Sequence, residues 1–474
     1  MFSTDPFNNP ILLTDSYKVS HSRQYPPGTQ RVYSYFESRG GEAPETVFFG
    51  LQYLIKRFLM TPITMAHIND AENFFNAHFV ACGGAKRLFN RDGWEHIVRQ
   101  HAGRLPVRIR AVPEGTRVPV RNVLMTIENT DPACYWLTNY IETLLVQTWY
   151  PTTIATLSNR YYQLIYRYLV ETGDPALVDF KLHDFGFRGS TSVESSGIGG
   201  LAHLVNFLGT DTMSALVIGR KFYNCPMAGF SIPAAEHSTI TSWGREHEID
   251  AFRNMLTQYP EGLVAVVSDS FDIYDACTTL WGKHLRNEVL NRNGTVVIRP
   301  DSGKPEAVVP EVLRRLYAAF GGKKNEKGYI VLDPHVRVIQ GDGINLFSCG
   351  EILDAVKKAG FSVDNLAFGS GGGLLQMVNR DTHKFAFKCC EVTVNGEHRE
   401  VYKEPITDPG KNSKRGRLKL LSTFVPPATY EYRTVNESET GTDTMLTILE
   451  NGQLLNDWSL DEVRARAKFG LAER

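Results

Sequence analysis

The sequence predicts an α/β protein whose middle portion is a (β/α) barrel, flanked on both sides by segments that read as antiparallel strand and helix. Three observations predict it. Six short apolar runs recur at 178–189, 227–238, 262–272, 295–303, 336–343 and 365–373, several of them rich in the β-branched residues that suit buried strands. Helical stretches separate the runs at intervals of roughly 30–50 residues, the length of a βα unit. Each run ends in glycine, an acid or arginine, and the C-terminal ends of strands are where a barrel carries its active site. A doubly wound open sheet would space its strands similarly; the barrel is the preferred reading.

Composition sets the outer bounds. A chain of 474 residues holds two or three domains with ample cores. Lys and Arg number 51 against 52 Asp and Glu, so no global field points to nucleic acid or to an anionic membrane. Seven cysteines are scattered without a CxxC pair, the usage of a reduced, cytosolic protein. The opening residues, MFSTDPFNNPILLTDSYK, lack a basic region followed by a long apolar one, so no signal peptide is expected. No run approaches the ~20 apolar residues of a membrane span.

In chain order, 11–25 predicts a short helix, capped by Asp15 or Thr14 and ended by Pro26-Pro27. RVYSYFESR (31–39) predicts a strand, GGEAPE (40–45) a loop, and helices run on to about residue 102. The stretch 105–129 alternates between turn signals and predicts antiparallel strands; 133–172 is helical and aromatic-rich. After the six runs, Asn395-Gly396 and Asn451-Gly452 signal two hairpins, a basic stretch spans Lys411 to Lys419, and Ser459 with Glu462 stand at capping-box spacing before the last helix.

The run ends carry the chemistry. GSGGGLLQ (369–376) brings backbone N–H groups and a helix start to one place, a cradle for phosphate, although a tight turn alone would use the same residues. It is neither a Walker loop nor a full GxGxxG. IQGDG (339–343) flanks Asp342 with glycines; the acid suits ribose hydroxyls or Mg²⁺, or an Asx turn. RPDSG offers Arg299 for a phosphate or amide and Asp301 for a ribose diol, or the two make a surface ion pair. HDFGFRG offers the Phe185 ring for a planar heterocycle and Arg188 for phosphate. PAAEHS places His237 at a run end, and SDSFD supplies Asp269 at another. A carboxylate can orient an imidazole that acts as a nucleophile.

Taken together the motifs LLTDSYKVSH, YSYFESR, KLHDFGFRG, AHLVNFLGTDT, PAAEHSTI, VVSDS, IRPDSG, VIQGDG, FGSGGGLLQ and GRLKL, in this order over nearly the whole chain, resemble the nicotinamide phosphoribosyltransferase family. The resemblance implies a type II phosphoribosyltransferase fold: an irregular (β/α) barrel (151–388) beside an α+β sandwich domain built from the N-terminal (1–150) and C-terminal (389–474) segments. It implies a cytoplasmic homodimer with shared active sites. The reaction would make nicotinamide mononucleotide and pyrophosphate from nicotinamide and phosphoribosyl pyrophosphate, with Mg²⁺, and with ATP hydrolysis coupled through a phosphohistidine.

Carried onto this chain, the resemblance implies that Phe185 and the other subunit's Tyr17 sandwich the pyridine, and that Asp211 accepts the carboxamide N–H₂. Arg299 would lie near the ring. Asp301, Asp342 and Gly341 would serve the ribose, and Gly371, Gly372 and Arg188 the 5′-phosphate. His237 would be phosphorylated with Asp269 as its partner. Arg39, Arg380 and Lys388 would bind phosphates, partly across the dimer. The residues that hold Mg²⁺ stay unassigned. The compact GGEAPE loop is shorter than is usual in the family. Three rivals are weaker: nicotinate phosphoribosyltransferase, against which Asp211 argues; a barrel aldolase, for which no strand-end lysine stands out; and a non-catalytic binding or signalling protein on this fold, which would tolerate loss of site residues where here every expected position is filled. The 411–419 stretch is short for nucleic acid and reads as a solvated hairpin or phosphate contact.

Overall fold

The structure is a computed structural model that describes residues 5–85, 88–407, 412–426 and 429–470. It divides into two compact units: one holds 157–220 and 226–377, the other 5–156, 221–225 and 378–470.

The first unit is built on a six-stranded parallel sheet in the order Gly209–Thr210, Leu182–Asp184, Leu366–Ser370, Val336–Gln340, Asn293–Arg299, Glu261–Val267. Along these strands Val264, Val266, Val296, Ile298, Val338, Leu366 and Phe368 are fully or almost fully buried, each burial stabilising by roughly 1.5–3 kcal/mol. A second set, Ala265, Val297 and Ile339, forms its own cluster, with Phe185, Ile232 and Ala367 packed against it. These alternate with the first set, so the strands bury both faces, as parallel sheets do.

The sheet would be an open half-barrel but for the segment 230–234. Phe230 bridges in parallel to Gly209 at one edge, and Ala234 bridges in parallel to Ala265 at the other. The edge bonds are regular: Thr210 N donates to Phe230 O at 3.0 Å, Ala265 N to Pro233 O at 2.9 Å, and Ala235 N to Ala265 O at 2.9 Å. The run at 227–238 is therefore not a strand but an irregular closure, because Pro233 has no N–H to extend a ladder. The two-residue strand Gly209–Thr210 is an addition to the six runs; it is too short to leave a periodic signal.

Helices Glu248–Gln258, Pro305–Phe320 and Leu346–Lys358 are amphipathic. Asn345 caps the last of them with a capping box. The Trp281 ring stacks on Phe252 at 4.6 Å, and its Nε1 donates to Ser268 Oγ at 3.1 Å. That bond fixes the end of strand Glu261–Val267, one residue before Asp269.

The second unit is built on a seven-stranded sheet that interleaves both ends of the chain, in the order Glu397–Glu400, Phe385–Val394, Thr29–Ser38, Val123–Asn129, Val107–Ala111, Leu446–Glu450, Gln453–Leu454. Its pairings are antiparallel. Both Asn-Gly hairpins form, with Asn395, Gly396, Asn451 and Gly452 all at positive φ, the type I′ geometry. Ser459 and Glu462 make the capping box. Residues 11–25 differ from expectation: two 3₁₀ stretches replace the helix. Asp15 does not cap, because its carboxylate accepts from Thr143 Oγ1 at 2.8 Å, while Thr14 Oγ1 donates to Tyr140 O at 2.7 Å. In the basic stretch, Lys411 lies outside the described residues. Lys414 pairs with Glu37, Arg415 with Glu404, and Arg417 with Glu128 and Glu437. Among the described residues no helix is long and apolar enough to cross a membrane.

Candidate active site

The C-terminal ends of the parallel strands converge on a cavity of about 600 Å³ lined by Phe185, Phe187, Arg188, Asp211, Thr212, Arg299, Asp301 and Gly341. Its floor is aromatic. Strand Leu182–Asp184 ends beneath Phe185, whose backbone N–H donates to Ser370 O at 2.9 Å. The ring packs directly against Gly369: a Cβ there would stand 2.0 Å from Phe185 Cε2. At Gly341 the corresponding distances are 3.5 Å to Phe185 Cε2 and 3.5 Å to Asp301 Oδ1. The ring thus tops the apolar filling of the barrel and offers its other face to the cavity.

Asp211 follows the strand Gly209–Thr210, and its N–H donates to Asp184 O at 2.9 Å. Ser231 Oγ, on the closing segment, donates to Asp211 Oδ1, which aims the carboxylate. Below it Asp184 is fully buried, and Gly186 N donates to its Oδ1 at 2.7 Å. Burial pushes its carboxyl up to about 6, against the pull of its hydrogen bonds, with Asp211 adding to the rise.

A second group of charges sits where strands Glu261–Val267 and Asn293–Arg299 end. His237 Nε2 lies 2.9 Å from Asp269 Oδ1, and His237 Nδ1 lies 3.9 Å from Asp301 Oδ2. The His237 side chain is 44% exposed and that of Asp269 3%, so the imidazole is reachable while the acid that orients it is not. The other Asp269 oxygen accepts from Asp301 N at 3.1 Å. Arg299 Nε is buried, has no hydrogen-bond partner, and stands 3.8 Å from Asp301 Oδ1. The Asp301 carboxyl is raised by burial, and by Asp269 and Asp342, against the pull of Arg299 and His237. Asp269 and Asp342 thus lie near enough to Asp301 to act on its carboxyl. Gln340 Nε2 donates to Asp342 O at 3.0 Å and holds that loop.

The glycine cluster lies beside two residues of the cavity wall, Phe185 and Arg188. Gly371 lies against Phe185 O, where an added Cβ would stand 3.5 Å away, and an added Cβ at Gly189, beside Arg188, would stand 3.9 Å from Gly372. Nothing lies within 4 Å of a Cβ at Gly372, whereas one at Gly373 would meet Ile344 O at 2.4 Å. Gly373 is therefore demanded by packing and Gly372 is open to a ligand. The helix there, Gly372–Leu375, is a single turn, so positive charge for an anion comes from Arg188 more than from a helix dipole.

Tyr17, Arg39, Arg380 and Lys388 belong to the other unit. Tyr17 is 61% exposed, edge-on to His21. Lys388 stands opposite Tyr35 on the central strand pair. Its ammonium is held below its ordinary value by burial and by the cations Arg39, Lys403 and Arg380. Arg39 Nε is buried without a hydrogen-bond partner. Such a cluster suits an anion. Phe187, Thr212 and Ser231 are site residues that the sequence reading did not pick out. Phe187 was legible within HDFGFRG; the pairing of Ser231 with Asp211 across 20 residues was not.

Known proteins carry the same sequence pattern. A model of the nicotinate phosphoribosyltransferase (NAPRTase) family matches residues 180–451, and one of the nicotinamide phosphoribosyltransferase N-terminal domain matches 9–109. The chain is 54% identical over 470 residues to the nicotinamide phosphoribosyltransferase of Xanthomonas campestris pv. campestris, covering 97% of this chain and 98% of that protein. It is 34% identical to that of Acinetobacter baylyi, covering 97% of each. Among solved structures, nicotinate-nucleotide pyrophosphorylase from Pyrococcus furiosus superposes with a TM-score of 0.62 at 14% identity, covering 98% of this chain and 96% of that one. Human nicotinic acid phosphoribosyltransferase does so with a TM-score of 0.55 at 15% identity, covering 96% and 93%. At those identities the structures attest the fold.

Proposed function

The chain belongs to the nicotinamide phosphoribosyltransferase family, and from that membership we propose how its residues divide the work of joining nicotinamide to phosphoribosyl pyrophosphate in NAD salvage. The product is nicotinamide mononucleotide, with pyrophosphate leaving. The observation that carries the reading is one cavity lined by two aromatic rings, two arginines, Gly341 and the two acids Asp211 and Asp301.

The pyridine nitrogen already holds a free lone pair, so the transfer needs no general base. What the site must do is align two partners and stabilise charge on the leaving group. Phe185 stacks the ring, and Asp211, aimed by Ser231, accepts the carboxamide N–H₂. Asp301 and Asp342 take the ribose hydroxyls together with the Gly341 backbone. Arg188 and the amides at Gly371 and Gly372 take the 5′-phosphate, and Arg299 lies near the ring. Tyr17 of a second copy closes over the pyridine, and Arg39, Arg380 and Lys388 hold phosphates, partly across that homodimer.

Asp301, which lines the cavity, would be the acid to hold Mg²⁺, an ion that would neutralise the pyrophosphate charge as it leaves. His237 is the residue that takes a phosphoryl group from ATP. Because Asp269 engages Nε2, Nδ1 is the nitrogen left to attack the γ-phosphorus. The P–N bond forms as the bond to ADP breaks, and the Nε2 proton stays on the ring against Asp269.

The deciding experiment measures product from nicotinamide and from nicotinate, each with and without ATP. Faster turnover of nicotinamide, enhanced by ATP, is the expected result. Preference for nicotinate would overturn the substrate assignment, and indifference to ATP would overturn the coupling alone.

A further inference from the structure

In the unit that holds both chain ends, two histidines of one helix converge on a single carboxylate oxygen. His96 and His101 belong to helix Arg91–His101, and the Nε2 atom of each lies 2.7 Å from Asp131 Oδ2. The rings are 5.8 Å apart, centroid to centroid. The ligand atoms of His96, Asp131 and Cys134 all lie within 4.8 Å of one another. The other Asp131 oxygen is already committed: it accepts from Ala133 N at 2.8 Å as the cap of the turn Pro132–Cys134.

We propose that His96, His101, Asp131 and Cys134 form a binding site for one zinc-class divalent cation. Two imidazoles, a carboxylate and a thiolate are the N/O/S donors that such an ion takes in tetrahedral geometry, at about 2.0–2.3 Å each. Ligands at that range stand roughly 3.4 Å apart. The two His–Asp contacts need to open by less than an ångström, the sulfur needs to close by up to about 1.4 Å, and His101, which stands outside the group of three, needs to swing in farther as the fourth ligand. The backbone amide on Oδ1 is the outer-shell partner that orients a ligating carboxylate. The frame is rigid. Trp94, on the histidine helix, packs edge-on against Trp136 at 4.8 Å and Tyr140 at 5.1 Å, just past Cys134, and both tryptophans are almost fully buried.

The way in is open. The side chains of His96, His101 and Asp131 are 34%, 26% and 20% exposed, while Cys134 is buried behind them. On binding, each imidazole surrenders to water the Nε2 proton that faces Asp131 and, as the neutral ring protonated on Nδ1, gives its Nε2 lone pair. The Cys134 sulfur becomes a ligand by surrendering its thiol proton to water as the metal–sulfur bond forms. An all-oxygen ion such as Mg²⁺ would find one carboxylate here and is not the guest.

The test titrates the reduced, chelator-treated full chain with Co²⁺, then displaces it with Zn²⁺. The expected result is one equivalent of Co²⁺ showing tetrahedral d–d bands and a sulfur-to-cobalt charge-transfer band, all lost to Zn²⁺ and none to Mg²⁺. Cys134→Ser should abolish the charge-transfer band, and Asp131→Asn or His101→Ala should weaken binding at least ~10-fold, the size of effect that losing even an outer-shell partner has. His247→Ala, outside the cluster, should change nothing. If a variant fails to fold, the sulfur-to-cobalt band of the unaltered chain still decides, because no cysteine among the described residues lines the cavity at Asp301. No charge-transfer band, a band that survives Cys134→Ser, or no Zn²⁺-dependent rise in melting temperature would overturn the site.

Discussion

His237 Nε2 lies 2.9 Å from Asp269 Oδ1, with the acid buried and the imidazole half in solvent. That pairing sets which nitrogen of the ring is left to react. If His237 is the phosphoryl acceptor, ATP labelled at the γ-phosphate should leave an acid-labile phosphohistidine that His237→Ala abolishes. The label should sit on Nδ1, readable by ³¹P NMR of the digested protein. Synthesis without ATP should persist in that variant, because the ring and ribose contacts remain. ATP stimulation undiminished in His237→Ala would refute the coupling.

Asp211 should set the choice between amide and acid. A nicotinate carboxylate ~4 Å from it would be repelled by about 1 kcal/mol in water and about 4 kcal/mol at an effective dielectric near 20. Asp211 is exposed, so the effect should fall between these limits and approach the upper one as a stacked ring excludes water. Asp211→Asn should narrow the nicotinamide-to-nicotinate ratio of kcat/KM by ~10- to 1000-fold. Ser231→Ala, which releases the carboxylate without removing it, should narrow it less. An unchanged ratio in Asp211→Asn would remove this role.

Two glycines beside the Phe185 ring should answer differently to alanine. At Gly369 the added Cβ would stand 2.0 Å from the ring, and at Gly341 3.5 Å, an ordinary contact. Gly369→Ala must displace the ring or the strand, costing about 1–3 kcal/mol as overpacking does, and should raise KM for the pyridine. Gly341→Ala should fold with nearly unchanged stability. Thermal melts and initial rates on the pair check this; equal behaviour would mean the ring does not rest on Gly369.

Asp184 should make stability depend on pH. Its folded value is raised to about 6 from an ordinary value of 3.8. Below pH 4 both states are protonated. Between pH 4 and 6 the unfolded chain releases the proton and the folded chain keeps it, so stability falls as pH rises and levels off above 6. The loss is on the order of 3 kcal/mol. Asp184→Asn keeps the oxygen that accepts from Gly186 N and should flatten this slope in denaturant titrations from pH 4 to 7. A parallel pair of curves would place the slope elsewhere.

What the sequence determined by itself is what short-range chemistry decides. Asn395-Gly396 and Asn451-Gly452 turn because both residues of a type I′ turn need positive φ. Ser459 caps the last helix because Glu462 is three residues on. Phe185, Arg299, Asp301 and Asp342 could be singled out because apolar runs must stop before polar residues begin, and their ends are neighbours in a barrel.

Tertiary structure alone decided what depends on partners far along the chain. Gly209–Thr210 is a strand only because Leu182–Asp184 pairs with it, and 230–234 closes the sheet only because two edges lie there to be bridged. Residues 221–225 belong with the N-terminal unit, where the Tyr223 hydroxyl donates to the buried Glu114 at 2.8 Å. Likewise Ser231 aims Asp211, and His96 with His101 meets Asp131, through contacts whose energy exists only after the backbone has closed loops of 20 to 35 residues. No local propensity encodes such a meeting, because the entropy of loop closure is offset only by the packed whole.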